Sequence, residues 1–506
     1  MKRDLLQLLA QKELKLELES EREKKKEFPG DKESITHHVA QINGKPLRYK
    51  ATAGYLKIKD EKQKIKTRVF YISYEKEGLK DRTKRAVTFA FNGGPGAASA
   101  WVHFGAMGPK RVKFTEEGKV CPPPYEFVNN EYSWLEFTDL VFVDPIGTGY
   151  SSPGEDEDSG QFYGVEEDIK WVGEFIRIYI SRNNRWLSPK FIAGESYGTY
   201  RAAGLIATLQ EKYAMDFNGV VFISSALDYL YFDFSPGNDL PYLLFLPAYT
   251  ATAWYHKKLP EELRADLKKT LEVVEDWALS EYSQALIKGD LLSDEERDRI
   301  IGQMSQYTGL SKEYIDDSNL RVKPHRFMKQ ILKDTKEVVG LYDSRLKAPD
   351  IDPMSDKLKT DPSLFNIYGS CIGCLHDFLR NELKYENDLP YKPLSRDVSK
   401  NWDWASGIDG GMGYVSVTEK LVEAMNYNRY LNVFFACGYF DLCTSYFLHK
   451  YTIAHMGLDP RLKENVTYDC YEAGHMMYVH MPSRKKLFND LSEFYKKRNS
   501  YEPGEL

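Results

Sequence analysis

Cysteine is scarce in this 506-residue chain, with six residues at scattered positions. No secretion signal stands in front of them, so they are expected to stay reduced thiols and not to build a disulfide framework. A signal peptide would need a continuous apolar stretch after a basic start. Residues 1 to 30 instead alternate Leu5, Leu8, Leu9, Leu16 and Leu18 with many Glu and Lys. No window reaches the roughly 18 consecutive apolar residues of a membrane-spanning helix, so no membrane partner is expected and the reading is cytoplasmic. Positive charge is not in excess either: the formal net charge is -6, which offers a nucleic acid no electrostatic footprint. Internal repeats and long Gly/Ser linkers are missing too, which excludes a solenoid and a string of independent domains.

What is present is a globular composition, 42% apolar and 28% charged, enough to bury a sizeable core. Cys371 and Cys374 form a single CxxC with only His376 nearby. A structural zinc site would want a second ligand pair, so no metal is assigned. Asn465-Val466-Thr467 has the form of a glycosylation sequon, but sugar attachment requires a secretory route that nothing in the sequence indicates.

The pattern divides the chain into four stretches. Residues 1–30, rich in Glu, Lys, Arg and Leu, predict an exposed amphipathic helix able to cap the domain or meet a second copy. Residues 31–230 hold the first part of a core. Turn signals at Asn43-Gly44 and Asp60-Glu61 predict two hairpins between Thr36 and Ser73. Short apolar runs follow at 86–91, 140–143, 191–193 and 220–223, and a fifth lies at 431–436. Buried strands alternating with helical stretches describe an α/β fold with a mostly parallel sheet covered on both faces. The segment 231–405 is too long for a crossover and reads as a helical lid insertion, another surface open to self-association, with helix expected over Pro260–Ile287. Residues 406–506 complete the core.

The chemistry gathers at the ends of the predicted strands. Gly194-Glu195-Ser196-Tyr197-Gly198 has the G-x-S-x-G form of a nucleophile elbow, preceded by an apolar strand and followed by a helix rich in small residues. A serine hydroxyl needs a base within hydrogen-bond reach, and this fold delivers nucleophile, acid and base in that chain order. His475 follows the strand-like Val466 to Cys470, where a loop would carry an imidazole over the sheet edge. Asp441 follows the fifth strand and is preferred as the acid over Asp228, which follows the fourth and is placed to cap a helix. The oxyanion hole is expected from the amides of Tyr197 and Gly94, since consecutive glycines at 93 and 94 let the backbone turn its amides inward.

Together, Asn92-Gly93-Gly94-Pro95-Gly96, Val143-Asp144-Pro145-Ile146-Gly147-Thr148-Gly149, Gly194-Glu195-Ser196-Tyr197-Gly198 and Gly474-His475-Met476 resemble the serine carboxypeptidase family, in its bacterial-type intracellular form. The resemblance runs from about residue 36 to 495 but leaves the insertion unmatched. It implies the α/β-hydrolase fold and removal of C-terminal residues from a peptide substrate without metal or cofactor. It also implies that Asn92 and Glu195 bind the substrate's free carboxylate. Physically, an amide beside a protonated acid suits a carboxylate, whereas an ionised Glu would repel it.

Three departures stand out. Typical members carry a second glutamate where Ala106 stands, a cysteine where Ala97 stands, and one more residue in the loop at Asp144-Pro145. Without the second carboxyl, Glu195 is expected to ionise at lower pH than its counterparts. Either carboxypeptidase activity is then confined to still lower pH, or the substrate carboxylate is left to Asn92 and another group such as a lysine or arginine of the insertion, the second being the favoured reading. An aminopeptidase, esterase or acyltransferase of the same fold, or a catalytically silent binding protein, are the competing readings.

Overall fold

The computed structural model describes residues 31–408 and 413–499; the helix expected over residues 1–30 lies outside them. The chain opens with an antiparallel meander of β1 (Ser34–Ile42), β2 (Lys45–Lys59) and β3 (Ile65–Lys76). These are the two hairpins read from the turn signals. Asn43 and Gly44 both take positive φ, 47° and 72°, the pair of left-handed residues that a tight type I′ turn demands. The second turn is tied by the Asp60 carboxylate accepting from the Lys64 amide at 2.9 Å.

Each of the five apolar runs then becomes a strand, β4 (Ala86–Phe91), β5 (Thr138–Val143), β7 (Lys190–Glu195), β8 (Gly219–Ile223) and β9 (Asn432–Gly438), and the strand-like segment before His475 becomes β10 (Val466–Tyr471), with the two-residue β6 (Ser152–Pro153) beside β3. The sheet order is β1-β2-β3-β5-β4-β7-β8-β9-β10. Strands β5 through β10 in that order run parallel. All of these except the edge strand β10 are buried on both faces, which is why they read as unbroken apolar runs and not as alternation. The period of two survives in their packing: Phe191 and Ala193 enter one core, Ile192 the other.

The longer helices are α1 (Val165–Arg182), α2 (Tyr197–Tyr213), α3 (Leu240–Tyr255), α4 (Leu267–Trp277), α5 (Asp294–Thr308), α6 (Pro362–Asp377), α7 (Thr418–Tyr427), α8 (Tyr446–His455) and α9 (Met481–Asn499). On one face of the sheet, α1, α2 and α7 pack against Phe89, Ile192 and Phe222. On the other, α9 stacks Tyr495 on Phe191 at 4.2 Å between ring centroids. This arrangement of a mostly parallel sheet between helical layers is the α/β-hydrolase fold.

The long connection between β8 and β9 has a core of its own, centred on α3, which is apolar nearly all round. That core is continuous with Cys437, Phe440 and Tyr446 of the main body. Helix does not extend unbroken from Pro260. Asp266 caps α4 by accepting from the Lys269 amide, and a π-helical turn at Ala278–Tyr282 leads into the helix Ser283–Lys288. The cap side chain, absent from a periodicity argument, sets the start. Cys371 and Cys374 lie inside α6 with their side chains buried in the main core.

Candidate active site

Strand β7 runs into α2 through Ser196, whose φ of 57° and ψ of -130° are strained for a residue with a side chain, at a cost of about 1–3 kcal/mol. The surroundings impose this bend. A Cβ on Gly194 would sit 2.2 Å from the Gly198 carbonyl oxygen, and one on Gly198 would meet the Phe91 and Asn92 carbonyls at 3.0 Å. Only glycine at both places lets the turn close. The Ser196 amide donates to the Ile223 carbonyl at 3.0 Å, while Thr199 returns its amide and hydroxyl to the Ser196 carbonyl. The elbow is thereby fastened to β8 with the Ser196 side chain left partly open to solvent.

Asp441 and His475 come from the ends of adjacent parallel strands, β9 and β10. His475 Nδ1 lies 2.7 Å from Asp441 Oδ2, and both side chains are buried. The carboxylate also accepts the Cys443 and Thr444 amides on Oδ1 and the Thr444 hydroxyl on Oδ2. Such a carboxylate is fixed in position and fixes the imidazole in turn. Burial pulls the His475 pKa down, but the charge and hydrogen bond of Asp441, with Glu195 adding, outweigh it and leave the ring above its ordinary value. Asp228 does what the alternative reading gave it: its carboxylate accepts the Leu230 amide and caps the short turn Tyr229–Phe232.

The glycine-rich loop after β4 lies directly against the elbow. A Cβ on Gly93 would be 2.4 Å from the Tyr197 nitrogen, and Gly94 takes a φ of 106° open chiefly to glycine. Tyr197 opens α2, so its amide has no carbonyl partner within the helix. The buried Asp144 organises the same loop by accepting the Ser99 amide at 2.9 Å; burial pushes its pKa up to about 6.

Asn92 and Glu195 meet under this loop. The Asn92 Nδ2 donates to Glu195 Oε1 at 2.8 Å, and its Oδ1 accepts the Trp101 and Val102 amides. Asn92 also hydrogen-bonds the Tyr478 side chain, so amide, carboxyl and phenol form one buried cluster. The other carboxyl oxygen of Glu195 accepts from the Tyr478 hydroxyl at 2.5 Å. Burial pushes the Glu195 pKa up to about 7, against the opposing effects of His475, Tyr478 and Asn92. Desolvation is the largest cause of the rise, and the nearby Asp441 carboxylate adds to it.

Tyr478, Thr444 and Tyr342 escaped the sequence reading. Tyr478 lies three residues past His475 and within the same short loop, so proximity to the motif was its only signal. Tyr342 comes from the insertion: its carbonyl accepts the His475 amide at 2.5 Å, and its ring lies 5.2 Å from the imidazole. Gly474 permits this approach, since a Cβ there would fall 2.2 Å from the Tyr342 carbonyl oxygen.

The family model of the peptidase S10 serine carboxypeptidases matches residues 42–347. The chain belongs to the serine carboxypeptidase family. The match takes in the elbow, the glycine-rich loop and the first part of the insertion, which the motifs alone had left unassigned, and ends before Asp441 and His475. Among curated relatives, the pheromone-processing carboxypeptidase KEX1 of Coprinopsis cinerea is 36% identical over 117 residues, 22% of this chain and 18% of that protein. The kex1 protein of Aspergillus niger is 27% identical over 191 residues, 36% and 28% of the two chains. The chain thus spans less than a third of the length of these relatives. In three dimensions the serine carboxypeptidase fold extends much further. The crystal structure of KEX1(delta)P, a prohormone-processing carboxypeptidase from Saccharomyces cerevisiae, superposes with a TM-score of 0.55 over 88% of this chain and 91% of that one, at 17% identity.

Proposed function

We propose that this protein removes C-terminal residues from peptides by acyl transfer through Ser196, with His475 as base and Asp441 as the acid of a catalytic triad. The observation that carries the reading is the 2.7 Å contact of His475 Nδ1 with Asp441 Oδ2 in a serine carboxypeptidase chain whose elbow serine is strained toward the open side. In this scheme His475 Nε2 takes the Ser196 proton as Oγ attacks the scissile carbonyl, then delivers it to the leaving amine. The amides of Gly94 and Tyr197 receive the developing oxyanion. Water hydrolyses the acyl-enzyme by the same proton route.

The substrate's terminal carboxylate is assigned to the Asn92 side chain and to the protonated Glu195. With its pKa at about 7, Glu195 holds a proton over much of the neutral range and donates where an ionised acid would repel. A fluorophosphonate probe should label Ser196 in the full chain. Comparison of peptide acids with their C-terminal amides then tests the exopeptidase assignment: equal turnover would replace it with an esterase or aminopeptidase of the same fold. The cytoplasm is the compartment proposed, in keeping with the small number and scattered positions of the six cysteine thiols; fractionation of the source cells tests it.

A further inference from the structure

Two of those thiols are not isolated. Cys437 on β9 and Cys470 on β10 are register partners on adjacent parallel strands, so their side chains leave the sheet on the same face. Their sulfur atoms lie 2.8 Å apart, closer than two thiols need for packing alone. Neighbouring strands stand about 4.8 Å apart, within the roughly 4.4–6.8 Å Cα separation that a disulfide accepts. Cys437 is buried, while Cys470 is partly open to solvent and donates to the Tyr468 hydroxyl at 2.9 Å.

We infer that Cys437 and Cys470 form a reversible thiol–disulfide site, closed by hydroperoxides, that staples the edge strand carrying His475 to the neighbouring strand carrying Asp441. Cys470, the accessible partner, attacks the hydroperoxide as its thiolate. The O–O bond breaks, an alcohol or water leaves, and the sulfur becomes a sulfenic acid. Cys437 Sγ then attacks Cys470 Sγ; the S–S bond forms, the S–O bond breaks, and hydroxide departs with the Cys437 proton as water. Two thiols lose two electrons in all, and one hydroperoxide is reduced. Because β10 lies at the open edge of the sheet, one cross-link holds a strand paired on a single side. It also closes a loop of the unfolded chain that spans the whole of α8, which favours the folded state.

The test is peptide mass mapping of the reduced full-length protein before and after tert-butyl hydroperoxide, followed by dithiothreitol, with a thermal melt at each stage. The expected result is one cross-linked peptide pair, Cys437 with Cys470, an upward shift of Tm by several degrees, and reversal of both by dithiothreitol. Cys470→Ala should abolish the cross-link and the shift, whereas Cys443→Ala should keep both. Recovery of Cys470 as a sulfinic acid with Cys437 still alkylatable, or an unchanged pair, would overturn the inference, and so would a cross-link that leaves Tm unmoved or lowers it. The wild-type mapping decides the matter even where a variant fails to fold.

Discussion

The Tyr478 ring lies against Gly105, where an added Cβ would come within 2.4 Å of its Cε2, and its hydroxyl donates to Glu195 at 2.5 Å. Gly105 precedes Ala106, the place at which the family resemblance puts a second glutamate. A phenol from the His475 loop thus reaches Glu195 while packing on the residue next to Ala106. The phenol is a donor that stays neutral throughout the working range, its own pKa held well above the usual tyrosine value by burial beside Glu195.

Tyr478→Phe removes a hydrogen bond that favours ionised Glu195, so the Glu195 pKa should rise beyond about 7. The preference for a peptide acid over its ester should then persist to higher pH. Profiles of kcat/KM for the two substrates read this directly. An unchanged profile would separate Tyr478 from the carboxylate site.

In the wild-type protein the same pair of profiles should diverge near neutrality. Turnover of the ester needs only neutral His475, and it should rise with pH to a plateau. Turnover of the peptide acid also needs protonated Glu195, so it should fall again as pH rises through about 7. The two groups interact, so the limbs report the pair and not either residue alone. A peptide-acid profile that stays flat well above pH 7 would remove Glu195 from carboxylate recognition.

Ser196→Ala and His475→Ala should each abolish nearly all turnover, because nucleophile and base act as one unit. Asp441→Asn should leave the melting curve close to wild type while lowering kcat by about 10⁴ through the wrong imidazole tautomer. Asp228→Asn should do the reverse: turnover is kept, and at most about 1 kcal/mol of stability is lost at the cap. Steady-state kinetics beside thermal melts distinguishes the two acids.

Gly93→Ala should lower kcat by about 10²–10³, the range observed for loss of one oxyanion donor. Its Cβ would press on the Tyr197 nitrogen from 2.4 Å and displace both loops that supply those amides. A wild-type kcat in a folded Gly93→Ala protein would place the oxyanion donors elsewhere.

The strands were legible because a buried parallel strand leaves a short apolar run, and the elbow because sterics demand its two glycines around a serine whose hydroxyl the chemistry requires. The Ala106 departure could be seen but its consequence could not, since the pKa of Glu195 depends on how deeply the folded chain buries it. Tyr478 and Tyr342 carry no local signature: a tyrosine in a loop or a single short turn has no period and no capping rule, and each has its partner more than a hundred residues away. The insertion was visible as length and as helical composition, but not in its boundaries. Its helices begin and end at caps such as Asp266, and its contact with His475 is made by a backbone carbonyl that any residue type could supply.

That contact bears on how the molecule can be cut and recombined. The Tyr342 carbonyl holds the amide of His475, and Gly474 exists in a space that the insertion's backbone fills. Excising the long connection to leave a minimal catalytic body would thus strip one wall from the loop that presents the imidazole. The insertion and the loop form a single mechanical part, so a chimera that exchanged the insertion with that of a relative would have to carry the segment around Gly474 with it.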